Sequence, residues 1–473
     1  MTVFDAEHVS RTSLLFMRQA GDAAAGADRH RSFSLHIVAG ADVCSSYDGQ
    51  AAVITAVKTA VRALGADDDT RKTRVTVSLA DPQQKVLGGP SAHQTLAEAT
   101  RAEGAQVGAG SLRPPDRPMN EPAVPSAPTA SSQIVIGEPP ADLEADGPTL
   151  FVSWSAWSAE VSSSCLWSRV PKATDGNVLS AIAAAALGVA TAFFRFADPG
   201  APGPEHAEVR IDLWSPDPDT DSGRPAPPEL RYAPARWWLL GLGHLGQAYA
   251  HVISWLPYAT PAEVEVTLQD VQRTVPANHS TGLLTPAGSN HVHKTRLVAS
   301  ALEASGLDTT IIERRMRADT PVPTSDRHVA LIGVDNLPSR RCIDSYGWRT
   351  AIDVGLGVGV DDFDGITLNR FPGRPSADIP AWQDPAPTAP PPEAPLAQAP
   401  ELDACGMARL DGTAVGASFV GALAAVLAIC EAVRPLHGGS PRSIQCVSTR
   451  DAEVNEALSP HAVELPVALE LHA

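Results

Sequence analysis

The sequence predicts an α/β fold in which a mostly parallel sheet is covered by helices on both faces. Three observations lead to this prediction. An apolar stretch runs into the segment GLGHLG at 241–246, apolar strand-like and helix-like segments alternate over 231–383, and two long Ala-rich segments have the composition of buried helices. Strands that alternate with helices in this way form parallel sheets, since each connecting helix packs back onto the sheet.

The central block, 231–383, supplies the alternation. Its apolar segments and turn residues predict eight elements in chain order. These are strand 236–240, helix 244–255, strand 263–269, helix 292–305, strand 309–313, strand 328–332, helix 337–346 and strand 350–354.

Proline-rich stretches divide the rest of the chain, because proline interrupts both helices and strands. We predict an N-terminal α/β domain before the central block and a C-terminal block after it. The boundaries are a domain at 1–197, a linker at 198–230, the central block at 231–383, a second linker at 384–400 and the C-terminal block at 401–473. The N-terminal domain is expected to combine the strands SFSLHIVAG, TRVTVSLA and TLFVSWSAWSAEV with helices at 50–64 and 177–196.

Two Ala-rich segments resemble each other. GNVLSAIAAAALGVATAFFRF (176–196) and GTAVGASFVGALAAVLAICEAVRPL (412–436) both begin at a glycine and end near a basic residue. The charges at Glu431 and Arg434 favour buried helices over membrane spans. Chance similarity and an internal duplication both remain open, and a duplication would give two related α/β domains with the glycine loop in the second one.

Composition excludes several classes of partner. The 473 residues include 36 Lys and Arg against 54 Asp and Glu, a formal net charge of −18, which repels nucleic acid and anionic membranes. The six cysteines form no C-x-x-C pair, so neither a zinc ribbon nor a disulfide framework is expected. The first residues lack a secretion signal, and we therefore expect a cytoplasmic protein.

The glycine loop predicts a Rossmann-like nucleotide site. Gly241 permits the tight turn, Gly243 lets phosphate oxygens approach the backbone, and Gly246 lets the following helix pack on the strand. The positive end of that helix then faces the phosphates. The loop alone is compatible with a dinucleotide, with ATP, or with a glycine turn that binds nothing.

Further polar residues follow at the ends of the next strands. Asp270 ends the second strand, where a carboxylate can accept hydrogen bonds from ribose hydroxyls. Lys294 opens a helix near the phosphate end, and an ammonium group there can bind a polyphosphate. Asp335 follows the buried strand 328–334, at the edge where Mg²⁺ can bridge phosphates, although an Asp that merely caps the next helix is an alternative.

Together these segments resemble the adenylation domain of the ThiF/MoeB and ubiquitin-activating enzyme superfamily. The resemblance covers about 231–360 and is carried by GLGHLG, DVQRTVPANHSTGLLT, KTRLVASALEASG and VDNLPSRR. It implies that Asp270 binds the ribose, that Asn278 and Arg340 belong to the nucleotide site, that Lys294 contacts the phosphates and that Asp335 holds Mg²⁺. It also implies that 401–473 completes the adenylation domain and that 1–197 is a second, degenerate copy.

The resemblance implies an activity and partners as well. In that family, MgATP activates the C-terminal carboxylate of a small ubiquitin-like or sulfur-carrier protein, or of its C-terminal peptide, as an acyl-adenylate. A conjugating enzyme would be a later partner, and a homodimer is allowed. Cys405, next to the second linker, is the candidate for a thioester, with a structural free thiol as the alternative; Cys342 and Cys430 are expected to be buried and inert.

Two positions depart from the family pattern. Thr281 stands where the family has an arginine, and Gln272 stands where it has the second Asp of a D-x-D pair. Arg273, Arg296 or a residue of the N-terminal domain would have to supply the missing cation. The sequence therefore leaves two alternatives to an active adenylyltransferase. One is a catalytically silent pseudo-adenylation scaffold, and the other is an NAD-dependent oxidoreductase that uses His291 and His293 as acid–base groups.

Overall fold

The computed structural model forms two α/β domains whose sheets face each other across a layer of helices. It describes residues 10–13, 15, 30, 32–65, 74–108, 131–139, 148–163, 176–197, 208–215, 226–317, 322, 326–357, 362–373, 375–383, 416–459 and 464–472. These residues form a seven-stranded sheet in the first half of the chain and an eight-stranded sheet in the second half, with one small two-stranded sheet.

The first half has the strand order β3-β2-β1-β4-β5-β6-β7, in which the first five strands are parallel and the last two antiparallel. Its strands are β1 Ser34–Ala39, β2 Val75–Leu79, β3 Gln106–Val107, β4 Ser131–Ile136, β5 Thr149–Ser155, β6 Ser158–Ser162 and β7 Glu208–Asp212. Its helices are α1 Ala41–Ser45, α2 Tyr47–Leu64, α3 Leu96–Ala102 and α4 Val178–Ala197.

Two expectations for this half need correction. Strand β7 lies inside 198–230, which was predicted to be a linker, and it pairs with β6 along its whole length. The single strand expected over 149–161 is two strands, because the chain reverses at Ala156 and Trp157 and β6 pairs back onto β5. The segment that forms β7, EVRID, is only five residues long and does not stand out between the prolines around it.

The second half has the strand order β11-β10-β9-β12-β13-β14-β15-β16, again with five parallel strands followed by antiparallel ones. The strands are β8 Tyr232–Pro234, β9 Arg236–Leu240, β10 Glu265–Gln269, β11 Asp308–Ile312, β12 Val329–Ile332, β13 Thr350–Leu356, β14 Gly365–Phe371, β15 Arg442–Ser448, β16 Val454–Leu458 and β17 Ala468–Glu470, of which β8 and β17 form the two-stranded sheet. The helices are α5 His244–Ser254, α6 Lys294–Ala304, α7 Leu337–Arg340, α8 Ile343–Tyr346 and α9 Ser418–Val433. Single 3₁₀ turns are at Pro261–Glu263, Pro276–Ser280, Ser376–Asp378, Pro380–Trp382 and Arg434–His437. All strands predicted for the central block are present, and the helix expected over 337–346 is two short helices, α7 and α8.

The two Ala-rich segments occupy equivalent places in the two halves. Helix α4 connects β6 to β7, and α9 lies between β14 and β15, each beside the antiparallel end of its sheet. The order of the seven strands in the first half matches that of β11 to β15 in the second, and β16 is additional. The matching strand order and helix position favour duplication over chance similarity.

Four helices fill the space between the sheets. Helices α2 and α4 of the first half pack together, and α9 of the second half packs on α4, α2 and α5. One continuous hydrophobic cluster contains residues from both halves. The described part of the chain has two helices long and apolar enough to cross a membrane, Val178–Ala197 and Ser418–His437, and 94% and 89% of their apolar windows are buried inside the protein. These helices are the core of the fold, as their sequences predicted.

Candidate functional site

The glycine loop joins β9 to α5 and leaves space above its centre. Gly241 has φ +82°, and a side chain there would lie 3.0 Å from the backbone of Gly333. A Cβ on Gly246 would lie 2.0 Å from the carbonyl oxygen of Gly241, so only glycine lets α5 approach the loop this closely. A Cβ on Gly243 would meet no atom within 4 Å. The loop is therefore tight on its protein side and open on the side where a phosphate would approach.

Hydrogen-bond donors surround this open space. The backbone N–H of Gly241 donates to the carbonyl of Gln269 at 2.9 Å. The N–H groups of His244, Leu245 and Gly246, in the first turn of α5, have no acceptor among the described residues. Unpaired N–H groups at the positive end of a helix dipole form an anion site.

Three of the predicted site residues converge beside the loop. The Asp270 carboxylate accepts hydrogen bonds from the Leu242 N–H and the Gln272 N–H, both at 2.7 Å. The Lys294 side chain is buried, and its Nζ donates to Gln272 Oε1 at 2.6 Å. Burial lowers the pKa of Lys294, and the nearby carboxylates of Asp270 and Asp335 oppose that shift. The three charged groups therefore act on one another at one edge of the sheet.

Asp335 is available for a cation. Its side chain is exposed and makes no hydrogen bond or ion pair among the described residues, while the neighbouring Asn336 caps α7 by accepting the Ser339 N–H at 3.0 Å. The alternative in which Asp335 serves only as the helix cap is therefore wrong. Protein sites for Mg²⁺ commonly supply one or two carboxylates and leave the other positions to phosphate and water. Asp335 fits such a site, and no cluster of three or more potential metal ligands occurs in the described part of the chain.

Asn278 and Arg340 have structural contacts. The Asn278 Oδ1 accepts the Val275 N–H at 2.9 Å, which shapes the turn Pro276–Ser280. Arg340 extends beneath the loop that carries Asp335, where it donates to the carbonyls of Val334 at 3.0 Å and Val354 at 2.8 Å. Arg340 thus supports the site from below, and direct contact of Asn278 or Arg340 with a nucleotide stays a prediction.

Asp353 is a buried carboxylate beside Arg340 that sequence reasoning missed. It lies on β13 with its side chain fully buried, 3.3 Å from Arg340 Nε, and neither carboxylate oxygen has a hydrogen-bond partner among the described residues. Burial raises its pKa to about 6, although the Arg340 guanidinium lowers it. The one sequence signal was a carboxylate inside the apolar strand TAIDVGL.

The two departures from the family pattern have local consequences. Gln272 is the hydrogen-bond partner of Lys294, so the amide that replaces a carboxylate holds the lysine without neutralising it. The Ser280 hydroxyl, next to Thr281, accepts the Arg11 N–H at 3.0 Å. The N-terminal segment 10–13 therefore lies against the position where the family arginine is missing.

The other two candidate substitutes have partners elsewhere. The Arg273 Nη1 donates to the carbonyl of His291 at 2.7 Å, and the Arg296 Nε lies 3.0 Å from the Glu313 carboxylate. Both side chains are exposed at these contacts. Of the candidates named from the sequence, the N-terminal segment is the one that the structure brings next to Thr281.

The cysteines differ in accessibility. Cys430 is buried in α9, and burial raises its pKa to about 12, which makes the thiol unreactive as predicted. Cys342 is partly exposed, so the prediction that it is buried is wrong: α7 and α8 are short and leave its side chain at their junction. Cys405 lies outside the described residues.

In the first half, the corresponding loop is filled by protein. Helix α1 follows Gly40 directly, and both oxygens of Asp42 accept the Glu138 N–H at 3.1 Å. A cavity of about 1000 Å³ lies between the two halves, away from the glycine loop of the second. Its lining includes Tyr47, Asp48, His93, Asn177, Glu229 and Tyr258.

Comparisons with known proteins agree with the two-domain organisation. A family model of the BilD N-terminal domain matches residues 34–204, and a model of the BilD C-terminal domain matches residues 233–439. The bacterial E1-like protein BilD of Collimonas sp. (strain OK412) is 33% identical over 315 residues, which are 66% of this chain and 68% of that protein. This chain belongs to the BilD family of bacterial E1-like proteins. Its glycine loop, Lys294 and Asp335 all lie within the range matched by the BilD C-terminal domain.

Solved structures show a weaker likeness. A crystal structure of E. coli MccB with MccA-N7isoASN is 11% identical, with a TM-score of 0.33, and the structure of E. coli MccB with ATP is 10% identical, with a TM-score of 0.32. Each match covers 49% of this chain and 66% of the MccB chain, just under two thirds of its length. A likeness at this level carries no argument about function.

Proposed function

We propose that this BilD-family protein is an ATP-dependent adenylyltransferase of the ThiF type that activates the C-terminal carboxylate of a small ubiquitin-like protein. The observation that carries the proposal is the convergence of Lys294, Asp270 and Asp335 beside the unpaired N–H groups of the glycine loop. Membership in a family of E1-like proteins supports the same reaction class. The first half, with its filled loop, is then the degenerate partner of the active half.

The residues suggest a division of roles around ATP. The N–H groups at the start of α5 would bind phosphate oxygens, and Asp270 would accept hydrogen bonds from the ribose. Lys294 is buried and close to two carboxylates, so it would present a positive charge to the triphosphate from a fixed position. A Mg²⁺ ion held at Asp335 would neutralise phosphate charge.

The chemical step follows from this arrangement. An oxygen of the substrate carboxylate attacks the α-phosphorus of ATP, the bond from that phosphorus to the bridging oxygen breaks, and pyrophosphate leaves. The product is an acyl-adenylate. Fixed positive charges and oriented N–H groups stabilise the charge that develops on the phosphates, which is the main contribution that a site of this kind can make.

Cys405 extends the proposal to a second step. Its thiolate would attack the acyl carbonyl, form a thioester and release AMP, after which a conjugating enzyme would accept the acyl group. We expect a Cys405→Ala variant to retain pyrophosphate exchange and to lose the thioester. A reducing-agent-sensitive adduct on denaturing gels measures this, and an adduct that persists in the variant would exclude Cys405.

ATP–pyrophosphate exchange tests the proposal as a whole. Any small protein that is encoded beside this one and ends in a flexible glycine-containing tail is a substrate to add. Exchange that depends on the intact C-terminal carboxylate is the expected result. The absence of both ATP binding and exchange with every such protein would exclude the activity.

A catalytically silent scaffold is the second candidate, and one observation favours it. Lys294 is bonded to the neutral Gln272, and Thr281 supplies no charge at the position of the family arginine. In this case, the protein would bind a partner but not ATP, and Lys294→Ala would leave partner binding unchanged. The remaining alternative, an NAD-dependent oxidoreductase, gains no support from an E1-like family; competition between NADH and ATP measured by tryptophan fluorescence distinguishes it.

A further inference from the structure

A cluster of charged side chains, two of them buried and Glu103 partly buried, lies in the first half, where it faces the second. The Glu103 carboxylate accepts from Lys58 Nζ at 2.7 Å and from Arg62 Nη2 at 2.8 Å. Burial alone would raise the pKa of Glu103, but the two cations bring it down to about 2. Burial lowers the pKa of Lys58, and the Glu103 charge opposes this. Charged groups this far from water require close partners, and these three supply them for one another.

The two cations also contact the second half directly. Lys58 Nζ and Arg62 Nη2 both donate to the carbonyl of Leu283, each at 3.3 Å. Leu283 follows the turn Pro276–Ser280 and Thr281, which border the nucleotide site. Two positive charges and one negative charge leave a net positive charge directed at one backbone carbonyl of the segment 281–285.

A buried glutamine connects that segment to the glycine loop. The Gln247 Oε1 accepts the Leu284 N–H at 3.0 Å and the Thr285 hydroxyl at 2.9 Å. Its Nε2 donates to the carbonyl of Leu242 at 3.3 Å, and the Leu242 N–H in turn donates to Asp270. Consecutive hydrogen bonds therefore run from the cluster in the first half to the loop and the carboxylate proposed to bind ATP.

We propose that Lys58, Arg62 and Glu103 are positioning residues for the nucleotide site, and that the first half fixes the glycine loop of the second half through them. Gln247 is the connection between the segment 281–285 and the loop. The effect on nucleotide binding rests on the proposed adenylyltransferase function, whereas the effect on the loop itself does not. The first half is thus part of the working site although its own loop is filled.

The test removes all three charges together in the full chain, as Lys58→Met, Arg62→Met and Glu103→Gln, so that no charge stays buried without a partner. Amide hydrogen exchange measured by mass spectrometry reports on the peptides that contain Leu242 and Leu284. We expect exchange there to become at least about tenfold faster. In the variant, the contacts to Leu283 are absent, so the free energy of local opening is lower. If this protein binds ATP, pyrophosphate exchange should fall by about ten- to a hundredfold, because a small displacement of the groups that position a substrate has an effect of this size.

A second buried charge cluster provides the matched control. Glu431 accepts from Arg434 Nη1 at 2.8 Å and lies 3.4 Å from Arg370 Nη1, all of them buried in the second half. The variant Glu431→Gln, Arg370→Met, Arg434→Met should lower stability without faster exchange in the two reporter peptides. The single variants Lys58→Met and Lys58→Arg provide readouts if a triple variant fails to fold, and Lys58→Arg should behave like the wild type.

The outcomes separate the two proposals. Unchanged exchange in both reporter peptides, or equal acceleration in the control variant, overturns the positioning role. Wild-type protein that binds no ATP overturns the adenylyltransferase function, while the hydrogen-exchange result still decides whether the cluster positions the loop. Selective acceleration together with weakened ATP binding supports both.

Discussion

The two halves of this chain share their backbone framework of strands and helices, and they differ in whether protein fills the loop after the central strand. In each half, Gly-Gln-Ala stands in the helix that follows the central strand, at 49–51 and at 246–248. Both glutamines bridge the loop before the helix to a later segment. Gln50 donates to the carbonyl of Cys44 at 2.8 Å and accepts the Leu87 N–H at 2.7 Å, as Gln247 does for Leu242 and Leu284.

Two differences lie at the loop and at the start of a later helix. The loop of the first half contains the extra helix α1, which places Asp42 against Glu138. Helix α3 begins at Leu96, whereas the corresponding helix α6 begins at Lys294. The shared backbone framework therefore carries two different loops: the loop of the first half is filled, and the helix that begins with a lysine in the second half begins with a leucine in the first.

The contacts between the halves are also unequal. Lys58 lies eight residues after Gln50, and Trp255 lies eight residues after Gln247. Lys58 crosses to the second half and bonds a carbonyl, whereas Trp255 crosses to the first half and packs on Gly89, where a Cβ would lie 2.6 Å from the indole ring. Hydrogen bonds define direction more strictly than apolar packing. Those of Lys58 and Arg62 are directed at the half that carries the candidate site, whereas the Ser418 hydroxyl donates in the opposite direction, to the Thr59 carbonyl at 2.7 Å.

The largest expected effect is a loss of activity that follows substitutions in the second half and does not follow the matched substitution in the first. Lys294→Met and Asp335→Asn each remove a charge beside the triphosphate and should lower ATP–pyrophosphate exchange by about 10²–10³-fold. The control is Glu138→Gln, which alters the carboxylate that follows β4 as Asp335 follows β12. An equal loss in the control would mean that both halves contribute to the reaction.

The next effect concerns stability and pH. Asp353 pairs in register with Ile332, and the first half has Val152 at the equivalent place opposite Ile136. Because the folded-state pKa is raised from 3.8 to about 6, the folded protein binds this proton more tightly than the unfolded chain does. This tighter proton binding adds to the free energy of unfolding. The contribution is fully present below the pKa of the unfolded chain, 3.8, and is lost as pH rises through the folded-state pKa of about 6.

We therefore expect the pH-insensitive variant Asp353→Asn to gain relative to the wild type as pH rises. The difference in the free energy of unfolding should change by about 2 kcal/mol between about pH 4.5 and about pH 7.5, as urea unfolding at the two values measures. A difference that does not vary with pH would show that Asp353 ionises normally in the folded protein.

Glycine substitutions give a smaller but more selective effect. A Cβ on Gly49 would lie 2.4 Å from Val43 Cα, so Gly49→Ala, like Gly246→Ala, should destabilise the protein by about 1–3 kcal/mol through overpacking. Only Gly246→Ala should also weaken ATP binding, measured by calorimetry on folded protein. Loss of binding in both variants would contradict the assignment of the nucleotide to the second half.

The smallest expected effect lies between the halves. Thr55 Oγ1 lies 2.9 Å from His251 Nε2, and both side chains are buried. Thr55→Val keeps the shape and removes the hydrogen bond, which should lower the free energy of unfolding by about 1 kcal/mol. Burial lowers the pKa of His251 to about 3, so this contribution should not change between about pH 5 and about pH 8.

Much of the second half was predictable because its signals are local. Apolar runs bounded by turn residues predicted five strands of the central block, although β8 and β14 were missed. Asp270, Lys294 and Asp335 lie at strand or helix boundaries that meet at one sheet edge. The inward direction of Arg340, the pairing of Arg340 with Asp353 and the contact of Lys58 with Leu283 were not predictable. Each joins residues distant in sequence or depends on a side-chain direction that spacing alone does not determine.

The helical layer between the sheets has a consequence for folding. Helices α2, α4, α5 and α9 belong to one continuous hydrophobic cluster, so separating the halves would expose the apolar faces of both. Unfolding is therefore expected to be one cooperative transition of the whole chain, since neither half retains a closed core without the other. Joining the halves in one polypeptide also makes their association independent of protein concentration, and every molecule carries one open and one filled loop in fixed proportion.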